Sequence, residues 1–199
     1  VEQINTEDMI KEEEVVVLIS KLGYIKRVPL TQYKAQSRGG KGSLSATLIE
    51  GDYINQIFTA TTKSYITFFT NEGKVYWIKV HEIPEASRSS RGSSIKSLIQ
   101  LNPDEEISTI VTMSDYRDDE YIFMATANGI VKKCVTTEFA NAKTRGVIGI
   151  KLRDGDKLVS AIMTSGKDDL MLITRRGQAL RLNEESVRPM GRASSGVTG

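Results

Sequence analysis

A chain of 199 residues, 39% hydrophobic and 26% charged, is long enough to bury a sizeable core, either as one all-β domain or as two small ones. Its single cysteine, Cys134, excludes an internal disulfide and a thiolate metal cluster, and the absence of any run of about 18 apolar residues argues against a membrane-spanning helix. The net charge of +2 conceals a segregation of sign. Residues 7–14 and 104–106 are acidic, while the stretch from Ser20 to Ile49 holds Lys21, Lys26, Arg27, Lys34, Arg38 and Lys41 with no acid.

Residues 1–14 are polar and acidic and lack the basic and apolar parts of a signal peptide. They read as a leader or linker, and a cytoplasmic protein is expected. From residue 15 the chain repeats itself. The runs 15–28, 64–80, 120–135 and 169–182 each show an apolar strand, a short turn with glycine and a second strand. Their turn glycines, Gly23, Gly73, Gly129 and Gly177, are 50, 56 and 48 residues apart. Glycine suits such turns because hairpins often need positive φ, and flanks rich in Val, Ile, Tyr, Phe and Thr favour strands.

A glycine-rich landmark follows each hairpin: QSRGGKG (36–42), SRGSS (90–94), TRGVIG (144–149) and GRASSGVTG (191–199). An acidic turn opening another strand comes next, in LIEGDYINQIFTAT (48–61), LNPDEEISTIVTM (101–113) and LRDGDKLVSAIMT (152–164), and the fourth repeat has none. Repeats near 50 residues with about four strands indicate propeller-type blades. The expected units are 15–63, 64–119, 120–168 and an incomplete 169–199, about three and a half blades of one domain over 15–199. Short turns are expected near 82–90 and 183–190.

Catalytic signals are weak. His81 has no cluster of metal ligands around it, and Cys134 reads as a small buried side chain in a strand. Asp52, Asp154 and Asp156 stand in turns that favour aspartate for conformational reasons. The Gly-rich stretch fails as a nucleotide-binding loop, because Ala35 stands where glycine is required and Gly42 where serine or threonine should follow the lysine. It still suits a phosphate backbone. Gly39, Gly40 and Gly42 let main-chain N–H groups approach an anion, Arg38 offers a planar fork and Lys41 a point charge, and Gln36 and Ser37 add hydrogen bonds. Arg38, Arg91, Arg145 and Arg192 recur in this loop from repeat to repeat. A second column stands four residues after each turn glycine: Arg27, Trp77, Lys133 and Arg181. Equivalent positions of a repeat protein line one edge, so these residues, with Lys26 and Lys132, are candidates for a basic rim that tracks nucleic acid. Solvated surface charge accounts for the same pattern.

QSRGGKG resembles the box motif, usually QRRGGKG, of the C-terminal domain of the bacterial DNA gyrase A protein. GYIKRVPLTQY (23–33), FFTNEGKVYWIKVHEIPEASR (68–88), MATANGIVKK (124–133) and MGRASSGVTG (190–199) resemble the same family in order, covering the chain from about Glu7 to Gly199. The resemblance implies a β-pinwheel, a propeller-like disc of four-stranded blades whose basic rim binds and wraps double-stranded DNA with little regard to sequence. It also implies a parent enzyme that introduces negative supercoils, with ATP and Mg2+ used elsewhere and no cofactor in this domain. The expected partners are DNA, the gyrase B protein, and the N-terminal cleavage domain of the same polypeptide, with no membrane, in a nucleoid-associated setting. Ser37 departs from the box by removing one charge. The related domain of topoisomerase IV, whose box is degraded, is one alternative. A chromatin-associated propeller scaffold with repeats of similar length is another. A propeller hydrolase lacks its catalytic constellation.

Overall fold

A computed structural model describes residues 6–33 and 48–199 of the chain. In chain order its strands are β1 (Glu14–Ser20), β2 (Tyr24–Pro29), β3 (Ile54–Thr61), β4 (Tyr65–Thr70), β5 (Lys74–Lys79), β6 (Ser93–Ser94), β7 (Ile107–Met113), β8 (Tyr121–Thr126), β9 (Ile130–Val135), β10 (Val147–Ile148), β11 (Leu158–Thr164), β12 (Asp169–Ile173), β13 (Ala179–Asn183) and β14 (Val197–Thr198). No α-helix occurs among the described residues. A short 3-10 segment follows each hairpin, at Leu30–Gln32, Val80–Glu82, Thr136–Phe139 and Glu184–Ser186.

The four hairpins close by one local device. Gly23, Gly73, Gly129 and Gly177 all have φ between 77° and 84°, the left-handed region that a side chain disfavours. The hydroxyl of the residue before each turn accepts the first main-chain N–H after it: Ser20 from Tyr24, Thr70 from Lys74, Thr126 from Ile130 and Thr174 from Gln178. The chain falls into two compact units, Val1–Ile66 with Ile78–Gln100, and Thr67–Trp77 with Leu101–Gly199. In the first, Val15–Ile19 of β1 are all buried, and so are Ile25 and Val28 of β2. A strand covered on both faces reads as a continuous apolar run rather than an alternation. In the second, Phe69 meets Phe139 edge-on at 5.9 Å, and Phe123, Val131, Leu170 and Val187 form a further cluster.

Sheet membership departs from the order of the sequence. The sheets run β3-β1-β2-β6, β10-β5-β4-β7 and β11-β8-β9-β14, with β12-β13 as a two-stranded fourth. The glycine-rich landmark after a hairpin therefore belongs to the sheet of the previous hairpin. Ser93–Ser94 pair with β2, Val147–Ile148 with β5, and Val197–Thr198 with β9. None of the four-stranded sheets is one continuous repeat of sequence. At Gly146, just before β10, a Cβ would lie 2.4 Å from the Tyr76 ring, so only glycine lets the chain pass there. β12 and β13 leave Met171, Ile173 and Leu180 exposed.

The acidic turns are structural. Asp52, Glu105 and Asp156 occupy one repeated position. Asp52 accepts the N–H groups of Leu22 and Tyr53 at 3.0 and 2.9 Å, and Asp156 those of Asn128 and Lys157 at 3.0 and 2.8 Å. Glu105 is buried and accepts from the Thr70 and Tyr76 hydroxyls and from the Asn102 N–H. Burial works to raise the Asp52 and Asp156 carboxyls. Hydrogen bonds from the Ser20 and Thr126 side chains and from these main-chain N–H groups outweigh it and hold both below the usual aspartate range. A carboxyl lowered in the folded state contributes stability above its unfolded pKa, about 3.9, and loses that contribution as pH falls through the folded value. The melting temperature is expected to drop as pH falls below about 4. Asp156→Asn should lower it at neutral pH and flatten the acid limb; an acid limb identical to that of the parent chain would refute this role.

Candidate nucleic-acid interface

The landmark loops of the second and fourth repeats are built alike. In residues 87–94, the Ser90 N–H and hydroxyl both bond the Ser87 carbonyl. In residues 191–198, Ser194 does the same to Gly191. A lysine amine from the preceding hairpin lies under each loop. Lys26 Nζ donates to the carbonyls of Ser87, Arg88 and Ser90 at 3.1, 2.6 and 2.7 Å. Lys132 Nζ donates to those of Gly149, Arg192 and Ser194 at 2.9, 2.5 and 3.0 Å. Each ammonium thus finds three main-chain acceptors for its three donors. Burial pushes both amines below the usual lysine range, and for Lys26 the Arg88 charge adds to that. Tyr76 stands at the same position in the second repeat. Its hydroxyl turns to Glu105 while its ring supports Gly146 of the third landmark loop.

The arginines face outward from these loops. Arg91 is exposed and its guanidinium sits 4.8 Å above the Tyr24 ring centre. Stacking of this kind leaves the donors at the edge of a guanidinium available to a phosphate. Arg88 is half-buried, 4.8 Å above the Tyr33 ring, and donates to the Gln32 carbonyl. In the second unit Arg145 is exposed, beside Lys143, whose φ is 44°. Arg192 is half-buried and donates to the Ile148 carbonyl at 3.2 Å.

Several expectations require correction. The sequence pattern assigns Lys26, Lys132 and Lys133 to the rim, but they are 1%, 0% and 3% exposed, and their amines are taken up by main-chain carbonyls. The column four residues after the turn glycine is a set of straps rather than a charged stripe. Arg27 Nε donates to the Ile83 carbonyl at 2.6 Å, Trp77 Nε1 to that of Ala140 at 3.1 Å, and Lys133 Nζ to that of Glu184 at 2.8 Å. Each acceptor lies in or just after the 3-10 segment that follows the next hairpin. The position demands a long side chain ending in an N–H donor, which explains a tryptophan among cations. Arg27 also pairs with Glu85 at 3.2 Å. Arg181 is exposed but turns back to Asp169 on its own hairpin.

The loop column also divides in two. Counted from the glycine that precedes each completing strand, Arg88 and Arg192 stand four residues before Gly92 and Gly196, whereas Arg91 and Arg145 stand one residue before Gly92 and Gly146. Arg88 is a candidate site residue that the motif pattern alone does not single out, although its offset from the glycine is a usable signal. Arg38 and Lys41 hold the corresponding two offsets from Gly42 in sequence. The box itself, Gln36, Ser37, Arg38, Gly39, Gly40, Lys41 and Gly42, lies outside the described residues.

Among the described residues no three His, Cys, Asp or Glu side chains gather to hold a metal ion, and no helix is long and apolar enough to cross a membrane. Cys134 is buried against the Met190 carbonyl, and burial raises its thiol to about 11, so it is not poised as a nucleophile.

A family model described as DNA gyrase C-terminal domain, beta-propeller, matches residues 14–61, 64–112, 120–165 and 168–199. The DNA gyrase A protein of Treponema pallidum (strain Nichols) is 55% identical over 195 residues, which is 98% of this chain and 24% of that protein. The chain therefore spans about a quarter of that relative's length. Among solved structures, a DNA gyrase A C-terminal domain superposes with a TM-score of 0.76 at 35% identity, covering 94% of this chain and 60% of that one. The C-terminal domain of a DNA topoisomerase IV superposes at 0.79 with 30% identity, covering 96% and 58%.

The strap column gives a stability prediction. Lys133 and the Glu184 carboxylate form a buried pair at 3.7 Å, and Glu184 also accepts from Thr164, Gly166 and Asp168. Lys133→Met leaves that carboxylate without its cation and should cost about 3–5 kcal/mol in denaturant unfolding. Arg181→Met, at the exposed pair, should leave stability unchanged within error. Equal losses for the two variants would show that burial does not decide the cost.

Proposed function

Because the chain belongs to the DNA gyrase C-terminal domain family, we propose that it binds double-stranded DNA through the phosphate backbone and bends it. In a parent type II topoisomerase this would present a DNA segment for strand passage and so drive negative supercoiling. The observation that carries this reading is the recurrence of arginines on landmark loops that are braced from within: Arg88 and Arg91 in the first unit, Arg145 and Arg192 in the second. The box residues Gln36 to Gly42 belong to the proposed site by their sequence offsets. Phosphates position a protein without carrying sequence information, and no α-helix is present among the described residues to read a major groove. Binding is therefore sequence-tolerant, apart from the deformability of the DNA.

In this proposal the chain performs no bond-breaking step. Strand cleavage belongs to the N-terminal cleavage domain of the same polypeptide, and ATP and Mg2+ act elsewhere in the holoenzyme, which includes the gyrase B protein, in the cytoplasm at the nucleoid. The topoisomerase IV alternative is less well supported. The family model and the 55% identical relative both carry the gyrase name, whereas the topoisomerase IV structure shares 30% identity.

The test is the salt dependence of binding to a random-sequence duplex. Each neutralised phosphate contributes a slope of about −0.9 to log K against log salt. Removing Arg88 and Arg91 together should reduce the slope by roughly two and weaken binding to all sequences alike. A sequence-specific footprint, or a slope insensitive to these arginines, would count against the proposal.

A further inference from the structure

The proposed DNA contacts make no use of the two lysines beneath the loops. Burying an ammonium is costly, and an apolar side chain of similar volume is often the more stable filling. The amines of Lys26 and Lys132 are instead spent on main-chain carbonyls, three apiece. What an ammonium does that a leucine cannot is gather three carbonyl oxygens around one point and so fix the main chain that carries them. Five of the six carbonyls belong to the loops that carry the arginines, and the sixth, that of Gly149, ends the third landmark. Lys26 holds the carbonyl of Arg88 itself and that of Ser90, the residue before Arg91. Lys132 holds the carbonyl of Arg192 and that of Ser194. The third landmark loop is the contrast within the same chain, since it rests on the Tyr76 ring through Gly146 and meets a lysine amine only at its last carbonyl, that of Gly149.

We infer that Lys26 and Lys132 are positioning residues for phosphate recognition: their buried ammonium groups lock the landmark loops so that Arg88, Arg91 and Arg192 meet the DNA backbone already ordered. The inference rests on the DNA-binding reading above. Fixing a loop before binding removes the ordering cost that a mobile loop would meet on contact.

The experiment uses the full chain and a random-sequence duplex over a series of salt concentrations, below the melting temperature of each variant. Lys26→Met is compared with the double variant Arg88→Ala, Arg91→Ala and with the triple variant. The expected result is a salt slope reduced by about one to two for folded Lys26→Met, with no loss in the triple beyond that of the double, because the lysine acts through the arginines. A lower melting temperature with an unchanged slope, or full additivity in the triple, would overturn the inference and leave the DNA reading standing. An unchanged slope in the double alanine variant would remove the DNA reading of this loop and the inference with it. Should Lys26→Met fail to fold, Lys132→Met and Arg192→Ala put the same question to the other loop. Failure of both methionine variants to fold would overturn the inference, because the amines would then hold the fold rather than present the arginines.

Discussion

The second strand of each of the first three hairpins reaches forward into the following repeat, and the architecture depends on that reach. Two adjacent residues make it, with side chains on opposite faces because the strand period is two. One face carries Lys26, Tyr76 and Lys132, which support the next landmark loop. The other carries Arg27, Trp77 and Lys133, which donate to a carbonyl in or just after the next 3-10 segment. Main-chain bonds run alongside. The Arg27 carbonyl accepts from Ala86 and that of Lys133 from Met190, while the Trp77 N–H donates to Lys143. The landmark loop then continues as the strand that completes the sheet. Folding of one repeat is in this way conditional on the next, as expected of a chain stabilised by nearest-neighbour interfaces.

The donors in these straps are chemically diverse because their acceptor is constant. A main-chain carbonyl in a 3-10 segment lacks an intrahelical partner and, when buried, must find one. Guanidinium, indole and ammonium all satisfy it, and each brings an apolar body that packs on the way. The same requirement governs the acidic turns, where Asp52 and Asp156 accept main-chain N–H groups of the hairpin turn and Glu105 accepts from Thr70, Tyr76 and Asn102. Charge in this protein divides into two populations. One is internal and bonds to main chain, as Lys26, Lys132 and Lys133 do; the other is exposed on the landmark loops, as Arg91 and Arg145 are.

That division bears on function. Because Lys26, Lys132 and Lys133 on the strands are buried while Arg91 and Arg145 on the loops are exposed, the net charge of +2 says little about the surface offered to a polyanion. Of the arginines on the landmark loops, Arg91 and Arg145 are exposed, and a planar fork keeps donors for phosphate even while it lies over a ring, as that of Arg91 does over Tyr24. The lysines beneath these loops, Lys26 and Lys132, are buried and bond the main chain of the loops.

The sequence by itself determined the all-β class, the fourfold hairpin repeat, the turn glycines and the family resemblance. These are local or periodic properties: a positive φ at Gly23 or Gly129, an apolar run at Val15–Ile19, a fixed spacing between like motifs. Only the tertiary structure decided which strands share a sheet and which cations face water. Ser93–Ser94 complete the first hairpin's sheet from within the second repeat, and Lys26 reaches an acceptor 64 residues away, at Ser90. A lysine is seldom fully buried, so its letter in the sequence pointed to the surface. The carbonyls that draw it inward are main-chain groups, present at every residue and therefore invisible in a sequence until the fold brings three of them to one point.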